Sequence, residues 1–468
     1  MQKMTSRHYM VIVAFSLAIA ASIGLLVNIG GLFFTPMAKE LNVGRGSVSL
    51  TMTICNLVAA LGGTLMPKII RKETFKPVVL AAALVTAGCT ALLSIADRLW
   101  LIYVLNAVRG FATGFIGSVA GSMVLNNWFY LNTGLVTSIA LGFSGIAGAL
   151  FSPLFSGIIA NVGWRTSYLI VGIVMFVFYL PLILFPIGMR PEDVGTRAYG
   201  DKIPDKDDTP ALSEASSAAV SEASSATVSE VSSKTISEGS SKAVSEASSP
   251  ARPETSGRAV KQTDSSTAPK TRTAPAAKAK TAASVPAAMF IFAACYTACG
   301  GSLTTVVQHF PGVADTYALP AAIGAGMMSA SMITNTSGKL LIGFLIDKIG
   351  IKISALLYLC LVAIGAVLLL TGPTGTTAVI AAALIGLGYS LSTVGVVMLV
   401  RTAFGMVNYS RVYPKVALFT TAFYALGTTF VGVIYDHTGS YTLVFILQLA
   451  ALAIMGTMMM LLMGRKKG

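Results

Sequence analysis

Apolar stretches recur along almost the whole chain, and short polar segments separate them. A stretch of about 20 apolar residues is long enough to cross a hydrocarbon core of roughly 30 Å as a helix. In lipid every backbone polar group must be hydrogen-bonded internally, so these stretches are expected to be helical even where glycine is frequent. The pattern therefore predicts twelve transmembrane helices, here called spans 1 to 12, at residues 9–35, 47–67, 77–96, 99–125, 133–160, 166–188, 286–310, 319–346, 352–371, 376–401, 411–434 and 441–463.

Span 5 carries a small residue at about every third or fourth position. Small residues at helical spacing let a neighbouring helix approach closely, where dispersion contacts replace the missing hydrophobic drive. A proline inside the span permits a kink. The pattern predicts a packing face, and it is compatible both with static packing and with helices that slide. The residues concerned are Gly134, Ser138, Gly142, Gly145, Gly148 and Pro153.

Residues 191–285, between spans 6 and 7, differ in composition from the rest of the chain. They contain an octapeptide repeat that runs from ALSEASSA to AVSEASSP, followed by a segment with scattered Lys and Arg. A Ser- and Ala-rich sequence buries too little apolar surface to offset the entropy of ordering, so a disordered cytoplasmic linker is expected. It separates an N-terminal six-helix bundle at 1–190 from a C-terminal six-helix bundle at 286–468.

The two halves carry similar short sequences in the same order. Gly63 and Gly343 are 280 residues apart, and so are Lys68 and Lys348, in the segments GGTLMPKIIRK and GFLIDKIGIK. A Gly-Gly pair in span 1 is matched by another in span 7. These matches predict an all-α membrane protein of two pseudo-symmetric bundles. Duplicated bundles that hold a substrate between them near the bilayer midplane are typical of secondary transporters.

Only 11% of the residues are charged and 54% are hydrophobic, whereas about 25% of the residues in a soluble domain are charged. The net charge of +14 does not indicate a nucleic-acid partner, because Lys and Arg are concentrated in alternate short loops. An excess of these residues marks the cytoplasmic side of a membrane protein. We expect a monomeric multi-pass protein of the cytoplasmic membrane, surrounded by the lipid bilayer, with both termini in the cytoplasm.

The sequence contains no recognisable motif for catalysis or cofactor binding. The Gly338–Lys339 pair lacks the spacing of a phosphate-binding loop, and no HExxH or Ser-His-Asp set is apparent. The five cysteines lie in apolar stretches and do not indicate a disulfide framework. His309 and His437 fall near outer helix ends, where contact with solvent is expected. We therefore predict no enzyme activity, no cofactor and no metal.

The segment GFLIDKIGIK resembles the motif that follows spans 2 and 8 in the Major Facilitator Superfamily. Its elements here are Gly343, Asp347, Lys348, Gly350 and Lys352. In the N-terminal copy Pro67 stands where the Asp belongs and Ile70 where the second Gly belongs. More narrowly, the segments NNWFYLNTGLVTSIALGFSG, GWRTSYLIVGI, MRPEDVG and SGKLLIGFLIDKIG resemble the oxalate/formate antiporter and monocarboxylate transporter branch. The resemblance covers both halves and leaves out the linker.

The motif implies a gate on the cytoplasmic side. A carboxylate such as Asp347 at a helix end can pair with a neighbouring helix N-terminus or with a basic residue. We expect this contact to form when the cytoplasmic side closes and to break when it opens. The alternative is a charge cluster that only anchors the loop. Because Pro67 replaces the N-terminal Asp, that half is expected to contribute less to the gate.

Two cations, Arg109 in span 4 and Lys339 in span 8, lie inside apolar stretches, and no Asp or Glu lies equally deep. A charge at the bilayer centre costs roughly 2.5–3.5 kcal/mol on insertion scales and so indicates function. An organic anion in a shared cavity offsets this cost, and an Arg can hold a carboxylate bidentately. The alternatives are a structural Arg109 and a Lys339 that reaches the interface. Four polar residues are expected to complete the site, namely Ser331 and Asn335 in span 8, Asn28 in span 1 and Tyr296 in span 7.

The resemblance implies that Lys339, which follows Gly338, meets a substrate carboxylate in place of the usual Arg. Oxalate carriers are expected to hold a second Lys within span 11, and this chain has none there. A monocarboxylate is therefore favoured over a dianion. We expect alternating-access transport of a small organic anion, coupled to a proton or a counter-anion. Efflux of amphiphilic compounds and a non-transporting membrane sensor are the alternatives.

Overall fold

A computed structural model describes residues 4–70, 72–131, 133–200 and 286–464. The octapeptide repeat and the basic segment after it lie outside these residues, as do the side chains of Pro67, Lys68 and Arg411.

Helices make up nearly all of the described chain. Their bounds are Ser6–Ile19, Ala20–Asn28 (π), Gly30–Phe33 (3-10), Phe34–Leu41, Arg45–Ile69, Phe75–Leu92, Leu93–Ile95 (3-10), Leu99–Gly114, Ser118–Trp128, Thr133–Leu184, Pro191–Val194 (3-10), Ala287–Thr305, Val306–His309 (3-10), Phe310–Thr316, Ala321–Leu370, Gly375–Ser390, Leu391–Gly395 (π), Val396–Thr438 and Thr442–Gly464.

Ten continuous helical segments in the described chain are long and apolar enough to cross a membrane. Two of them, Thr133–Leu184 and Ala321–Leu370, have 52 and 50 residues, about 78 and 75 Å at 1.5 Å per residue. Each is interrupted at a glycine in the left-handed region, Gly163 (φ 81°) and Gly350 (φ 79°). A residue with a side chain rarely adopts this conformation, so each glycine permits a sharp break. Each break divides its segment into two spans, so the ten segments contain twelve spans. The predicted fold class is confirmed.

Twelve spans place the first and last described residues on the same side of the bundle, which we call the terminal face. The other side is called the opposite face. Span 2 packs along span 11 and span 5 packs along span 8, so that these two pairs form the seams between the halves. Across the second seam, the Ser329 hydroxyl donates to the Ala149 carbonyl at 2.7 Å.

The predicted packing face of span 5 is present only in part. A Cβ atom at Gly148 would lie 2.9 Å from the Asn28 Cβ, and one at Gly145 would overlap Thr336 of span 8. Among the described residues, nothing lies within 4 Å of the Cβ position of Gly134 or Gly142, and Ser138 is exposed. The prediction of close approach at these three residues is wrong for this conformation, since they lie toward the terminal face, away from the seam contacts. Span 5 remains helical through Pro153.

The predicted linker begins too early at residue 191. Residues 188–200 fold back over the terminal face of the N-terminal half and form what we call the strap. The Arg7 guanidinium donates to the Thr196 hydroxyl at 2.8 Å, and the Trp128 indole donates to the Gly188 carbonyl at 3.1 Å. The Tyr199 amide donates to the Trp128 carbonyl at 2.9 Å. The N-terminal bundle therefore extends to residue 200.

Candidate functional site

A cavity of about 270 Å³ lies between the two halves. Small-molecule sites usually have volumes of about 300–1,000 Å³, so this cavity suits a small ligand. Spans 1, 2 and 4 form one wall, and Tyr389 of span 10 and Tyr424 of span 11 form the other. Its polar lining side chains are all neutral: Ser22, Cys55, Asn56, Thr113, Ser118, Tyr389 and Tyr424.

Irregular helix geometry shapes both walls of the cavity. The π-helical segment Ala20–Asn28 of span 1 places Ser22, Ile23, Leu26 and Val27 in the lining. Span 10 has a second π-helical segment, Leu391–Gly395, which begins two residues after Tyr389. Such segments widen a helix locally and are frequent at functional sites.

Glycine allows spans 2 and 4 to pack closely at the wall of the cavity. A Cβ atom at Gly114 would lie 2.6 Å from the Ala59 carbonyl oxygen, which is closer than real side chains come. The helix Leu99–Gly114 ends here, and span 4 resumes at Ser118. The interruption brings Thr113 and Ser118 to the same cavity.

Arg109 lies directly behind the cavity wall. Its side chain is 4% exposed, and its Nη2 donates to the Asn106 Oδ1 at 2.6 Å. The guanidinium also contacts the Cys55 thiol and the Tyr168 hydroxyl. Its Nε has no hydrogen-bond partner, and it forms none of the ion pairs found among the described residues. Arg109 is therefore a buried cation with neutral partners, separated from the cavity by Cys55.

Lys339 approaches the cavity from the C-terminal half. Its Nζ lies 5.9 Å from the centre of the Tyr389 ring, which lines the cavity. Like Arg109, it takes part in no ion pair within the described chain. Tyr389 in turn meets Tyr424 edge to face, with ring centres 6.5 Å apart. Lys339 thus lies beside an aromatic ring that lines the cavity. Its side chain is half-buried.

The other four predicted residues are buried, but the structure does not bring them to the lining of this cavity. The Asn28 amide donates to the Ser144 carbonyl at 2.9 Å and so ties span 1 to span 5. The Ser331 hydroxyl donates to the Met328 carbonyl of its own helix. The Asn335 Oδ1 and the Tyr296 hydroxyl have no partner among the described residues.

None of the polar residues that line the cavity was among the predicted binding residues. Asn56 is the clearest case, because an amide inside an apolar span is costly to bury unless it is paired. Its Nδ2 is buried and has no partner in the described structure. Its position inside span 2 could therefore have identified it as a candidate site residue from the sequence. Nothing in the sequence indicates the π-helical turn that brings Ser22 to the same cavity.

The motif around Asp347 lies at the terminal face. Asp347, Lys348 and Lys352 are exposed, and the Lys348 Nζ lies 4.6 Å from the centre of the Phe344 ring. Gly350 forms the break between spans 8 and 9, while Gly343 has nothing near its Cβ position. Asp347 forms none of the ion pairs of the described residues. The gating role stays a prediction.

On the opposite face, charged residues from both halves form a cluster that the sequence interpretation missed. The Asp315 carboxylate pairs with the Arg45 Nη2 at 2.6 Å and with the Lys39 Nζ at 3.0 Å. The Asp436 carboxylate accepts hydrogen bonds from the backbone amides of Arg45 and Gly46, both at 2.7 Å. We call Lys39, Arg45, Asp315 and Asp436 the opposite-face cluster. It closes this side of the molecule.

Aromatic residues surround the buried Arg45 side chain. Its guanidinium carbon lies 3.9 Å from the centre of the Tyr435 ring, and its Nη1 donates to the Tyr441 hydroxyl at 3.1 Å. A cation over an aromatic face in a dry contact gains about 2 kcal/mol. Every inter-half ion pair of the described chain lies on this face.

His309 was expected to contact solvent, and this expectation is wrong. Its side chain is 2% exposed, because it packs between Phe34 of the N-terminal half and Tyr441, with ring centres 5.4 and 5.9 Å away. Its Nε2 lies 2.9 Å from the Thr428 carbonyl oxygen. His437 is exposed, as expected.

The five cysteines are free, in agreement with the sequence prediction. Within the described residues no group of three or more His, Cys, Asp or Glu side chains is placed to hold a metal ion.

Two packed six-span halves around a central cavity define the transporter class of integral membrane proteins. A family model described as Major Facilitator Superfamily matches residues 10–406, and the chain belongs to this superfamily. Its structure is similar to the crystal structure of the nucleoside transporter NupG, with a TM-score of 0.65 and 11% identity over 98% of this chain and 99% of that one. The crystal structure of a point mutant of NupG gives the same TM-score at 12% identity, over 97% and 99% of the two chains.

Relatives identified by sequence are distant. The chain is 22% identical over 183 residues to the uncharacterized MFS-type transporter YcxA of Bacillus subtilis, over 38% of this chain and 44% of the relative. It is 26% identical over 155 residues to the purine ribonucleoside efflux pump NepI of Salmonella paratyphi A, over 32% and 39%. The matches thus span less than half of each relative's length. They support the superfamily, while the oxalate/formate and monocarboxylate branch remains a resemblance.

Proposed function

We propose that this chain is a secondary active transporter, and not an enzyme, that moves a small organic anion across the cytoplasmic membrane by alternating access. The observation that carries the proposal is the pair of intramembrane cations, Arg109 and Lys339. They lie on either side of the central cavity, and neither has a carboxylate partner among the described residues. Their combined charge gives the cavity a positive potential, which a bound anion neutralises.

The size and lining of the cavity favour a monocarboxylate with a small apolar or aromatic body. The tyrosine pair offers ring faces to that body, and the hydroxyl and amide groups of the lining offer hydrogen bonds. Because Arg109 and Lys339 act from behind Cys55 and Tyr389, they contribute long-range attraction in a medium of low dielectric constant. Direct contact with the carboxylate requires a change of rotamer.

The conformation agrees with one end state of alternating access. The distribution of Lys and Arg assigns the terminal face to the cytoplasm and the opposite face to the outside. The opposite-face cluster is then an outer gate in its closed form. Asp347, which forms no ion pair within the described residues, belongs to an open cytoplasmic side. A proton or a counter-anion drives the cycle. No charged residue lines the cavity, so the proposal places no carboxylate relay there.

Transport of a neutral nucleoside is the second candidate. The neutral polar lining and the tyrosine pair also suit a heterocycle that bears hydroxyl groups. NepI, whose name describes efflux of purine ribonucleosides, and NupG, a nucleoside transporter, belong to the similar proteins. Efflux of amphiphilic compounds and a sensor role on the same scaffold stay as further alternatives.

Uptake into proteoliposomes distinguishes the candidates. Radiolabelled monocarboxylates and nucleosides are offered separately to the wild-type protein and to Arg109→Ala and Lys339→Gln, with and without a pH gradient. Removing a buried charge that attracts the substrate by about 1.4 kcal/mol lowers uptake about tenfold. Lys415→Gln, which removes an exposed cation outside the site, is the matched control.

The expected result is monocarboxylate uptake that both site variants reduce and the control retains. Equal monocarboxylate accumulation by the wild type and Arg109→Ala contradicts the role of Arg109. Nucleoside uptake that is insensitive to both substitutions establishes the second candidate instead.

A further inference from the structure

His309 lies where the two halves meet on the opposite face. It belongs to span 7, and Phe34 of span 1 and the Thr428 carbonyl of span 11 contact its ring. A carbonyl oxygen only accepts a hydrogen bond, so Nε2 carries the ring hydrogen and Nδ1 is the position that takes up a proton. Opening of the opposite face moves the N-terminal half, with Phe34, away from the ring and admits water to it.

The charges around His309 are balanced in the closed form. The opposite-face cluster contributes two cations and two carboxylates, and the Arg45 charge acts directly on the imidazole. A protonated His309 is therefore an additional positive charge, placed in a dry contact beside Arg45. Of the titratable and charged groups on the packed elements, Tyr441 contacts the ring, and Lys39, Arg45, Asp315, Tyr435 and Asp436 belong to the network around it.

We propose that His309 makes the opening of the opposite face dependent on protons. In the closed form the imidazole is neutral and buried. In the open form water surrounds it, and Nδ1 takes a proton from the outer solution. Acidity outside thus favours the outward-open form, and reclosure returns the proton to the same solution. The inference rests on the alternating-access part of the proposed function and assigns a regulatory residue to it.

The size of the effect follows from linkage between protonation and conformation. A solvated His titrates near pH 6.5. If the closed form excludes the protonated ring, lowering the pH from 7.5 to 5.5 raises the ratio of open to closed forms about tenfold.

A cysteine reporter in the seam measures the opening. Ser49 is completely buried on span 2, and its Oγ faces the backbone of Gly432 on span 11. The five native cysteines of the full-length chain are first replaced by Ser. Ser49→Cys in this background is then treated with a charged methanethiosulfonate reagent between pH 5.5 and 8.0. Thr374→Cys, an exposed position of the opposite face, corrects for the pH dependence of thiol chemistry.

The corrected labelling rate is expected to rise about tenfold as the pH falls from 7.5 to 5.5. In His309→Gln, which keeps a donor for the Thr428 carbonyl, the rate is expected to stay flat. In His309→Arg the high rate is expected at every pH, because the added charge is permanent. His437→Gln, which changes the exposed histidine of the same face, is expected to retain the full pH response.

A flat profile in the wild-type background overturns the proposal, and so does an unchanged rise in His309→Gln. Gel filtration shows whether each variant is folded, and labelling at pH 8.0 shows whether His309→Gln and His437→Gln retain the closed form. Because the assay contains no substrate, its outcome is independent of whether the transported solute is an anion or a nucleoside.

Discussion

At the scale of single residues, the sequence indicated Arg109 and Lys339 as intramembrane cations, and their role in anion binding stays a prediction. It did not predict their exact surroundings, because rotamers and neighbouring helices decide which side chain reaches a cavity. Cys55 lies between Arg109 and the cavity, and the Tyr389 ring lies beside Lys339. Neutral residues therefore line the cavity, and the two cations lie in the layer behind this lining.

Asn56 provides a direct test of that contact surface. Its unpartnered Nδ2 is available to a ligand acceptor. Asn56→Ala is therefore expected to raise the KM for the transported solute between two- and tenfold, because one neutral hydrogen bond contributes about 0.5–1.5 kcal/mol. The maximal rate and the thermal midpoint are expected to change little, because the described structure shows no internal partner for this group. Initial uptake rates over a range of substrate concentrations provide the measurement.

The control for this test is Asn161→Ala, which removes an exposed amide that bonds only within its own helix. An unchanged KM in Asn56→Ala, with the protein correctly folded, places the ligand elsewhere.

At the scale of elements, helix breaks and helix ends carry most of the functional geometry. The apolar pattern predicted the spans well, because a membrane enforces helices on any long apolar stretch. It did not predict the π-helical segments of spans 1 and 10, which depend on packing between helices and leave no hydrophobic period in the sequence. The opposite-face cluster was missed for a related reason: Arg45, Asp315 and Asp436 are far apart in the chain.

The Asp436 contact with the start of span 2 is expected to hold the opposite face closed. Its carboxylate accepts two charge-assisted hydrogen bonds at the positive end of a helix, each worth about 1.5–3 kcal/mol. Asp436→Asn is therefore expected to increase labelling of Ser49→Cys at least tenfold at pH 8.0, where His309 is neutral. Asp97→Asn serves as the control, because Asp97 pairs with Arg165 within one half.

Labelling that stays at the wild-type level in Asp436→Asn means that this contact does not determine closure. If Asp436→Asn and Asp97→Asn raise labelling equally, the result indicates a general loosening of the fold.

At the scale of the whole molecule, duplication was visible in the sequence and the two-bundle architecture is confirmed. Matching short segments 280 residues apart were sufficient for this conclusion, because two halves of similar sequence fold alike in the same membrane. The extent of the N-terminal bundle was not visible. Residues 191–200 are polar and resemble a loop, yet backbone hydrogen bonds from Tyr199 and side-chain bonds from Arg7 attach them to the bundle.

Removal of residues 205–280 tests whether the repeat tract is needed for the bundle. We expect the deleted protein to insert, to fold with a thermal midpoint within a few degrees of the wild type, and to retain uptake. The reason is that a Ser- and Ala-rich tract contributes little buried apolar surface. Replacement of the same residues by a Gly-Ser sequence of equal length separates effects of length from those of composition. Loss of folding in the deletion, with the replacement intact, is evidence that connection length matters.

The strap also bears on how such a chain can change during evolution. Since Arg7, Trp128 and Tyr199 bind the strap to the N-terminal half, the octapeptide units begin beyond a fixed attachment point. Gain or loss of a unit by slippage in the gene then alters only the tract after Gly200 and transmits no strain to span 6. Related strains are therefore expected to differ in the number of units while their bundles stay the same.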